Sequence, residues 1–260
     1  LLRQNRLRCK ALEAHKGVES FDDQHQALPI LLLPGTLCDG RAFAPLIARL
    51  AGRAVHVMLT SGAESAELLA DRILAEAPPH FVLIGFSLGG IVGLEVAARA
   101  PSRVAGLALI GSTSRPDRPG WAEGRRADVA EARARGVGAT VLEKYWPRYV
   151  GATALNDAAL QRVVLDMACS LGVDAFARQT EIIISRADSR PRLGDLHMPV
   201  LALCGAEDAL CPPVLSEEIV AGAPNATLAV IPGAGHFVLL ETPEEANAAV
   251  LAWLDALPPT

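Results

Sequence analysis

Apolar residues along this chain fall in short continuous runs, and helix-period segments separate one run from the next. Ile30–Leu33 is apolar throughout and stops at Pro34-Gly35. A run this short, ended by chain breakers, predicts a buried strand. Arg41–Leu50 then reads as a helix, Ala54–Leu59 as a strand and Ser65–Ala77 as a helix. Phe81–Ile84 is the next strand, Ser87–Ala100 a helix ended by Pro101, and Val104–Ile110 a further strand. The alternation resumes at Pro199–Cys204 (strand), Val214–Val220 (helix), Thr227–Ile231 (strand) and Pro243–Leu257 (helix). This order predicts an α/β fold, with a mostly parallel central sheet and helices on both faces.

Between Ser112 and about Leu196 the alternation breaks. That stretch is helical and charged, with Trp121, Tyr145, Trp146 and Tyr149 as its large aromatics, and it reads as a helical cap inserted at about 112–196. Residues 1–28 are polar and mixed, a weakly structured lead-in with a short edge strand around Leu7–Leu12. No internal repeat or low-complexity linker divides the rest. One domain over 29–260, carrying the cap, is expected.

Composition narrows the class. Of 260 residues, 51% are apolar and 20% charged, enough for a large core and too apolar for a disordered chain. A net charge of −5 and a pI near 5.7 argue against nucleic acid as the main partner. No apolar run approaches the ~18 residues of a membrane-spanning helix. No basic n-region followed by an apolar stretch is visible, so no secretory signal is expected in these residues and cytoplasm is the default. The cysteines are Cys9, Cys38, Cys169, Cys204 and Cys211, an odd number with no CxxC pair and no zinc spacing. They read as free thiols in a reducing compartment, with no metal site. There is no Walker loop or dinucleotide fingerprint, so no cofactor is expected.

Gly85-Phe86-Ser87-Leu88-Gly89 stands where a predicted strand passes into a predicted helix. The G-x-S-x-G pattern gains its meaning from that setting: the serine sits on a strained turn, and only small residues fit where strand and helix crowd together. The helix N-terminus adds oriented amides where negative charge would develop. A nucleophilic serine needs a base, and the base needs an orienting acid. Of the six histidines, His236 alone lies in a Gly-rich loop, Gly233-Ala234-Gly235-His236, just past a predicted strand. That edge of a doubly wound sheet carries ligands. The acid candidate is Asp208 in Gly205-Ala206-Glu207-Asp208, with Glu207 as the adjacent rival.

The resulting order of Ser87, Asp208 and His236 resembles the α/β-hydrolase superfamily from about Pro29 to Leu257. The chain looks most similar to the small serine esterases and acyl hydrolases, including the pimeloyl-carrier-protein methyl ester esterases. The resemblance implies an ester or thioester of a small to medium carboxylic acid as substrate, and an acyl-enzyme on Ser87. It also implies an oxyanion hole made from the backbone amides of Thr36 and Leu88, with Leu37 as a second candidate for the first donor. Pro34 stands where the family usually has histidine, which leaves the Thr36 amide but changes how its loop is held. The hairpin that usually precedes the first core strand is not recognisable in residues 1–28, so a sheet shorter than eight strands is expected. Lyases, lactonases and C–C bond hydrolases of the family use the same triad. Dehalogenases and epoxide hydrolases carry aspartate at the position of Ser87. A non-catalytic ligand-binding member is the alternative from another class, and the intact triad speaks against it.

Two features of the surface stay open between readings. From Ser112 to Val150, seven arginines and Lys144 face five acids, a net +3. That excess suits an anionic acyl group or an acidic carrier protein, and equally a solvated helix face. Ser112-Thr113-Ser114-Arg115 is either a pocket rim or a plain loop, while the cap aromatics read mainly as packing. Cys38 and Cys211 are placed to border the site.

Overall fold

The computed structural model of the protein describes residues 28–258, so the expected lead-in and its Leu7–Leu12 strand lie outside the described residues, Leu28 excepted. Six strands form one sheet: β1 (Ile30–Leu33), β2 (Val55–Val57), β3 (Phe81–Phe86), β4 (Val104–Ile110), β5 (Val200–Gly205) and β6 (Ala226–Ile231). Their order is β2-β1-β3-β4-β5-β6 and every pairing is parallel. The chain therefore steps one way from β1 to β2 and the other way from β3 onward. A crevice opens at such a reversal, beyond the carboxyl ends of the strands.

Alternate side chains of the strands feed two separate cores. Ile30, Leu32, Val82, Ile84, Ala108, Leu201 and Leu203 face α1 (Ala44–Arg49) and the C-terminal helix. Leu31, Leu33, Leu83, Leu107, Leu109, Val200 and Ala202 face α2 (Ala66–Glu76), α3 (Leu88–Arg99) and a helix after β5. The four central strands β1, β3, β4 and β5 are thus buried on both faces, which is why they read as continuous apolar runs, while the edge strands β2 and β6 stay partly exposed. The expected Arg41–Leu50 helix is split into a 3-10 turn (Gly40–Phe43), capped by the Asp39 carboxylate on the Arg41 N–H, and then α1, with Pro45 in its first turn.

The β4–β5 crossover carries the helical insertion. It comprises α4 (Trp121–Arg135), α5 (Val137–Thr140), a π turn (Val141–Tyr145), α6 (Trp146–Tyr149) and α7 (Ala158–Ser185). At Gly172 the φ is +77°, which breaks α7 and redirects its second half. Beyond the insertion lie α8 (Pro213–Gly222), α9 (Val238–Glu241) and α10 (Pro243–Asp255). No helix among the described residues is long and apolar enough to cross a membrane.

The tightest point of the fold is where α3 leaves β3. A Cβ at Gly89 would overlap the Leu33 carbonyl at the end of β1, and one at Gly85 would overlap the Gly89 carbonyl. Neither obstacle is a side chain that can rotate away. Gly89→Ala should therefore cost about 2–3 kcal/mol of stability, as overpacking against rigid backbone does. Urea unfolding checks this; an unchanged midpoint would mean that the α3–β1 approach is looser than described.

Candidate active site

Ser87 occupies the turn between β3 and α3 at φ +52° and ψ −115°, a conformation costing a serine roughly 1–3 kcal/mol. Neighbours hold it there. Its N–H donates to the Ile110 carbonyl at 2.8 Å, and the Ser112 hydroxyl donates to its carbonyl at 2.9 Å. Both residues come from β4 or its carboxyl end, so the adjacent strand braces the turn.

His236 and Asp208 reach Ser87 from the loops after β6 and β5. His236 Nε2 lies 2.9 Å from Ser87 Oγ, and its Nδ1 lies 2.8 Å from Asp208 Oδ2. Asp208 Oδ1 accepts the backbone N–H groups of Leu210 and Cys211, each at 2.8 Å. Both carboxylate oxygens are engaged, which fixes the plane that the imidazole must meet. Burial opposes the charge on Asp208, but His236 and the two N–H donors outweigh it and hold its pKa below the usual carboxylate value. Gly111, at φ +52°, packs behind the pair: a Cβ there would sit 3.3 Å from the imidazole. Glu207 is exposed and turned away, its carboxylate accepting the Ala152 N–H at 2.8 Å. Of the two acids weighed from sequence, Asp208 is the one that meets the histidine.

The Leu33–Leu37 loop lies against the same turn, where a Cβ at Gly35 would sit 3.1 Å from Ser87 Cβ. Thr36 and Leu88 line the cavity beside Ser87. Among the described residues neither of their N–H groups has a protein acceptor, whereas the Leu37 N–H donates to Gln179 Oε1 at 2.9 Å. The geometry therefore leaves Thr36 and Leu88 free to donate and commits Leu37 elsewhere.

The insertion closes over this edge. The Tyr149 carbonyl accepts the N–H groups of His236 (2.8 Å) and Phe237 (3.2 Å). Glu241 Oε2 accepts from Gly151 (2.7 Å) and Gly235 (2.9 Å), and burial raises the pKa of this carboxyl. Between insertion and sheet lies a cavity of about 590 Å³, with Phe86, Phe176, Ile183, Leu215 and Phe237 among its apolar lining. Trp121, Tyr145 and Tyr149 also line it, so those three aromatics do more than pack. Trp146 is buried and donates to the Leu155 carbonyl. Thr113 and Arg115 reach the cavity wall, while Ser112 braces the turn instead.

Charge in the cavity is mostly basic. Asp117 is shared between Arg125 (2.8 Å) and the largely buried Arg186 (3.4 Å). Arg118 lies over the Trp121 ring at 4.6 Å. Arg118 and Arg148 have no carboxylate within ion-pair distance among the described residues. Cys38 and Cys211 also border the cavity, and loss of solvent pushes both thiols above their usual pKa, which disfavours the thiolate. Among the described residues no cluster of His, Cys, Asp or Glu is arranged to hold a metal ion.

Comparison with known proteins places this architecture. The model of the alpha/beta hydrolase fold family matches residues 66–243, and the chain belongs to that family. It is 31% identical over 194 residues to the pimeloyl-[acyl-carrier protein] methyl ester esterase of Aromatoleum aromaticum, covering 69% of this chain and 76% of that one. The protein of the same name from Pectobacterium carotovorum is 30% identical over 244 residues, covering 87% and 94%. Among solved structures, a thermophilic esterase from Thermogutta terrifontis superposes with a TM-score of 0.80 at 28% identity, covering 88% of this chain and 90% of that one.

Sequence reading missed Ser112 as a brace, Glu241 and Tyr149 as ties to the histidine loop, and Gln179 altogether. Gln179 left no trace, because it stands among other polar residues, Arg178, Thr180 and Glu181.

The depressed pKa of Asp208 has a consequence for stability. A carboxylate with a lowered folded-state pKa contributes stability that is present above the unfolded value, near 3.9, and is lost as the pH falls through the folded value. The stability difference between the wild type and Asp208→Asn should accordingly shrink in favour of the variant below about pH 4. Urea midpoints measured from pH 7 to 3 check this, and a pH-independent difference would contradict it.

Proposed function

We propose that this chain is a serine hydrolase that cleaves a carboxylic ester or thioester through an acyl-enzyme. The observation that carries the reading is the unbroken chain Ser87–His236–Asp208, with bonds of 2.9 and 2.8 Å, opening into the cavity. With Nδ1 donating to Asp208, Nε2 is bare and takes the proton of Ser87 as Oγ attacks the carbonyl carbon. The tetrahedral oxyanion accepts the N–H groups of Thr36 and Leu88, each worth on the order of 3 kcal/mol in the transition state. The imidazolium returns its proton to the leaving alcohol or thiol, and Asp208 stabilises its charge meanwhile. Water, deprotonated by His236, then releases the acid and regenerates Ser87.

The cavity suits a small to medium acyl group against its apolar side, with arginines toward the insertion. Two relatives are named for the methyl ester of a pimeloyl group on an acyl-carrier protein. An acyl ester presented by an acidic carrier is therefore within the substrate range proposed here; the net +3 of the 112–150 segment is offset by Glu218, Glu181 and Asp174, which pair with Arg115, Arg126 and Arg133, so Arg118 and Arg148 are the cavity cations that favour it. Lactone opening, C–C bond hydrolysis and proton-abstracting elimination would use the same three side chains.

Ser87→Ala should abolish hydrolysis of p-nitrophenyl esters and covalent labelling by a fluorophosphonate, with the thermal midpoint unchanged or raised as the strained turn relaxes. Retention of more than a few per cent of turnover would remove Ser87 from the mechanism. Extending the acyl chain of the p-nitrophenyl series then locates the preferred length.

The acid is tested separately. Asp208→Asn should lower turnover by roughly 10³–10⁴, because the amide favours the wrong imidazole tautomer. Glu207→Gln, whose side chain meets Ala152 instead of the imidazole, should cost less than about tenfold. The reverse ranking would refute the assignment of Asp208.

A further inference from the structure

The loop that carries the Thr36 N–H is anchored by side chains from two distant parts of the chain. Thr60, just past β2, donates its hydroxyl to the Pro34 carbonyl at 3.1 Å. Gln179, on the second half of α7, donates through Nε2 to Thr60 Oγ1 at 3.1 Å and accepts the Leu37 N–H through Oε1 at 2.9 Å. Gln179 and Thr60 are both 0% exposed. A buried primary amide is unfavourable unless its polar atoms are engaged, and these bonds engage both ends of it.

Leu37 has φ +55°, a backbone region that a leucine enters only when its surroundings hold it there. The Cys38 N–H donates to the Gly35 carbonyl at 3.2 Å and closes a turn across Thr36 and Leu37. Positive φ at the third residue of such a turn usually calls for glycine. Here the bond to Gln179 holds the Thr36–Leu37 peptide in the orientation that the turn needs. Pro34 has no N–H and Gly35 no side chain, so neither can anchor the loop by those means.

We propose that Gln179 is a positioning residue of the oxyanion hole. By holding the peptide after Thr36, it keeps Leu37 at positive φ and the Thr36 N–H beside Ser87. The proposal rests on the hydrolase reading above and goes beyond it: the insertion helps to shape the transition-state site as well as the acyl cavity. Gln179 itself is absent from the cavity wall, although Phe176, Thr180 and Ile183 of the same helix segment line it. Its loss should therefore act on kcat and spare KM.

The test is Gln179→Leu, assayed on p-nitrophenyl acetate with active sites counted by fluorophosphonate labelling carried to completion. Turnover per labelled site should fall about ten- to a hundredfold, with KM changed less than about threefold. The pH profile of kcat/KM should keep its wild-type midpoint, because the Asp208–His236 pair is untouched. Gln179→Glu should recover most of the loss, since a carboxyl kept protonated by burial offers the same acceptor and donor. Where Gln179→Leu does not fold, Thr60→Val carries the test, with an expected loss of roughly three- to tenfold. Wild-type kcat in the assayed variant, or a raised KM at constant kcat, overturns the proposal. Failure of the wild type itself to label at Ser87 overturns the hydrolase reading and this proposal with it, so the two failures are distinguishable.

Discussion

The site depends on one close approach, that of the α3 backbone to the end of β1. With Gly89 against the Leu33 carbonyl, the turn out of β3 has no room to widen, and Ser87 is forced to φ +52°. The strain this stores is supported from the side by β4, through the Ile110 carbonyl and the Ser112 hydroxyl. The same contact brings the β1 loop alongside Ser87, since the residues after Leu33 must pass over the start of α3. Ser87, the helix N-terminus and the Thr36 loop are therefore positioned together by a single packing event.

The second constraint is the insertion, which is bonded to the site on two flanks. On the histidine side, the Tyr149 carbonyl and the Gly151 and Ala152 N–H groups bind the loops that carry His236 and Asp208. On the Ser87 side, Gln179 binds the β1 loop. Burying the Glu241 carboxyl raises its pKa, and two backbone donors offset part of that desolvation. Because backbone groups make most of these ties, the insertion can change its cavity-facing side chains without releasing the loops that carry Asp208 and His236. That separation suits a family in which the pocket is varied over one scaffold.

The alternation of apolar runs and helical segments was enough to predict all six strands of the sheet within two residues of their ends. For the four central strands the reason is physical: a parallel strand covered on both faces has no polar position, and Pro or Gly must end it. Ser87, Asp208 and His236 were legible for a related reason. Each lies just past a strand, in a loop whose glycines are demanded by close backbone approach. The choice between Asp208 and Glu207 rested on motif alone, and the side-chain directions in the folded loop separate them.

What the sequence could not contain is anything that depends on which distant backbones converge. Thr60, Ser112, Gln179 and Glu241 are ordinary polar residues in their own segments, with no local spacing that marks them. Their partners lie 26, 25, 142 and 90 residues away. Local sequence determines period, breakers and turn chemistry, and from these come the sheet and the three side chains at its edge. Only the tertiary structure decided how the Thr36 loop and the His236 loop are held, because a buried hydrogen bond is selected by where two surfaces meet after folding, which no local pattern records.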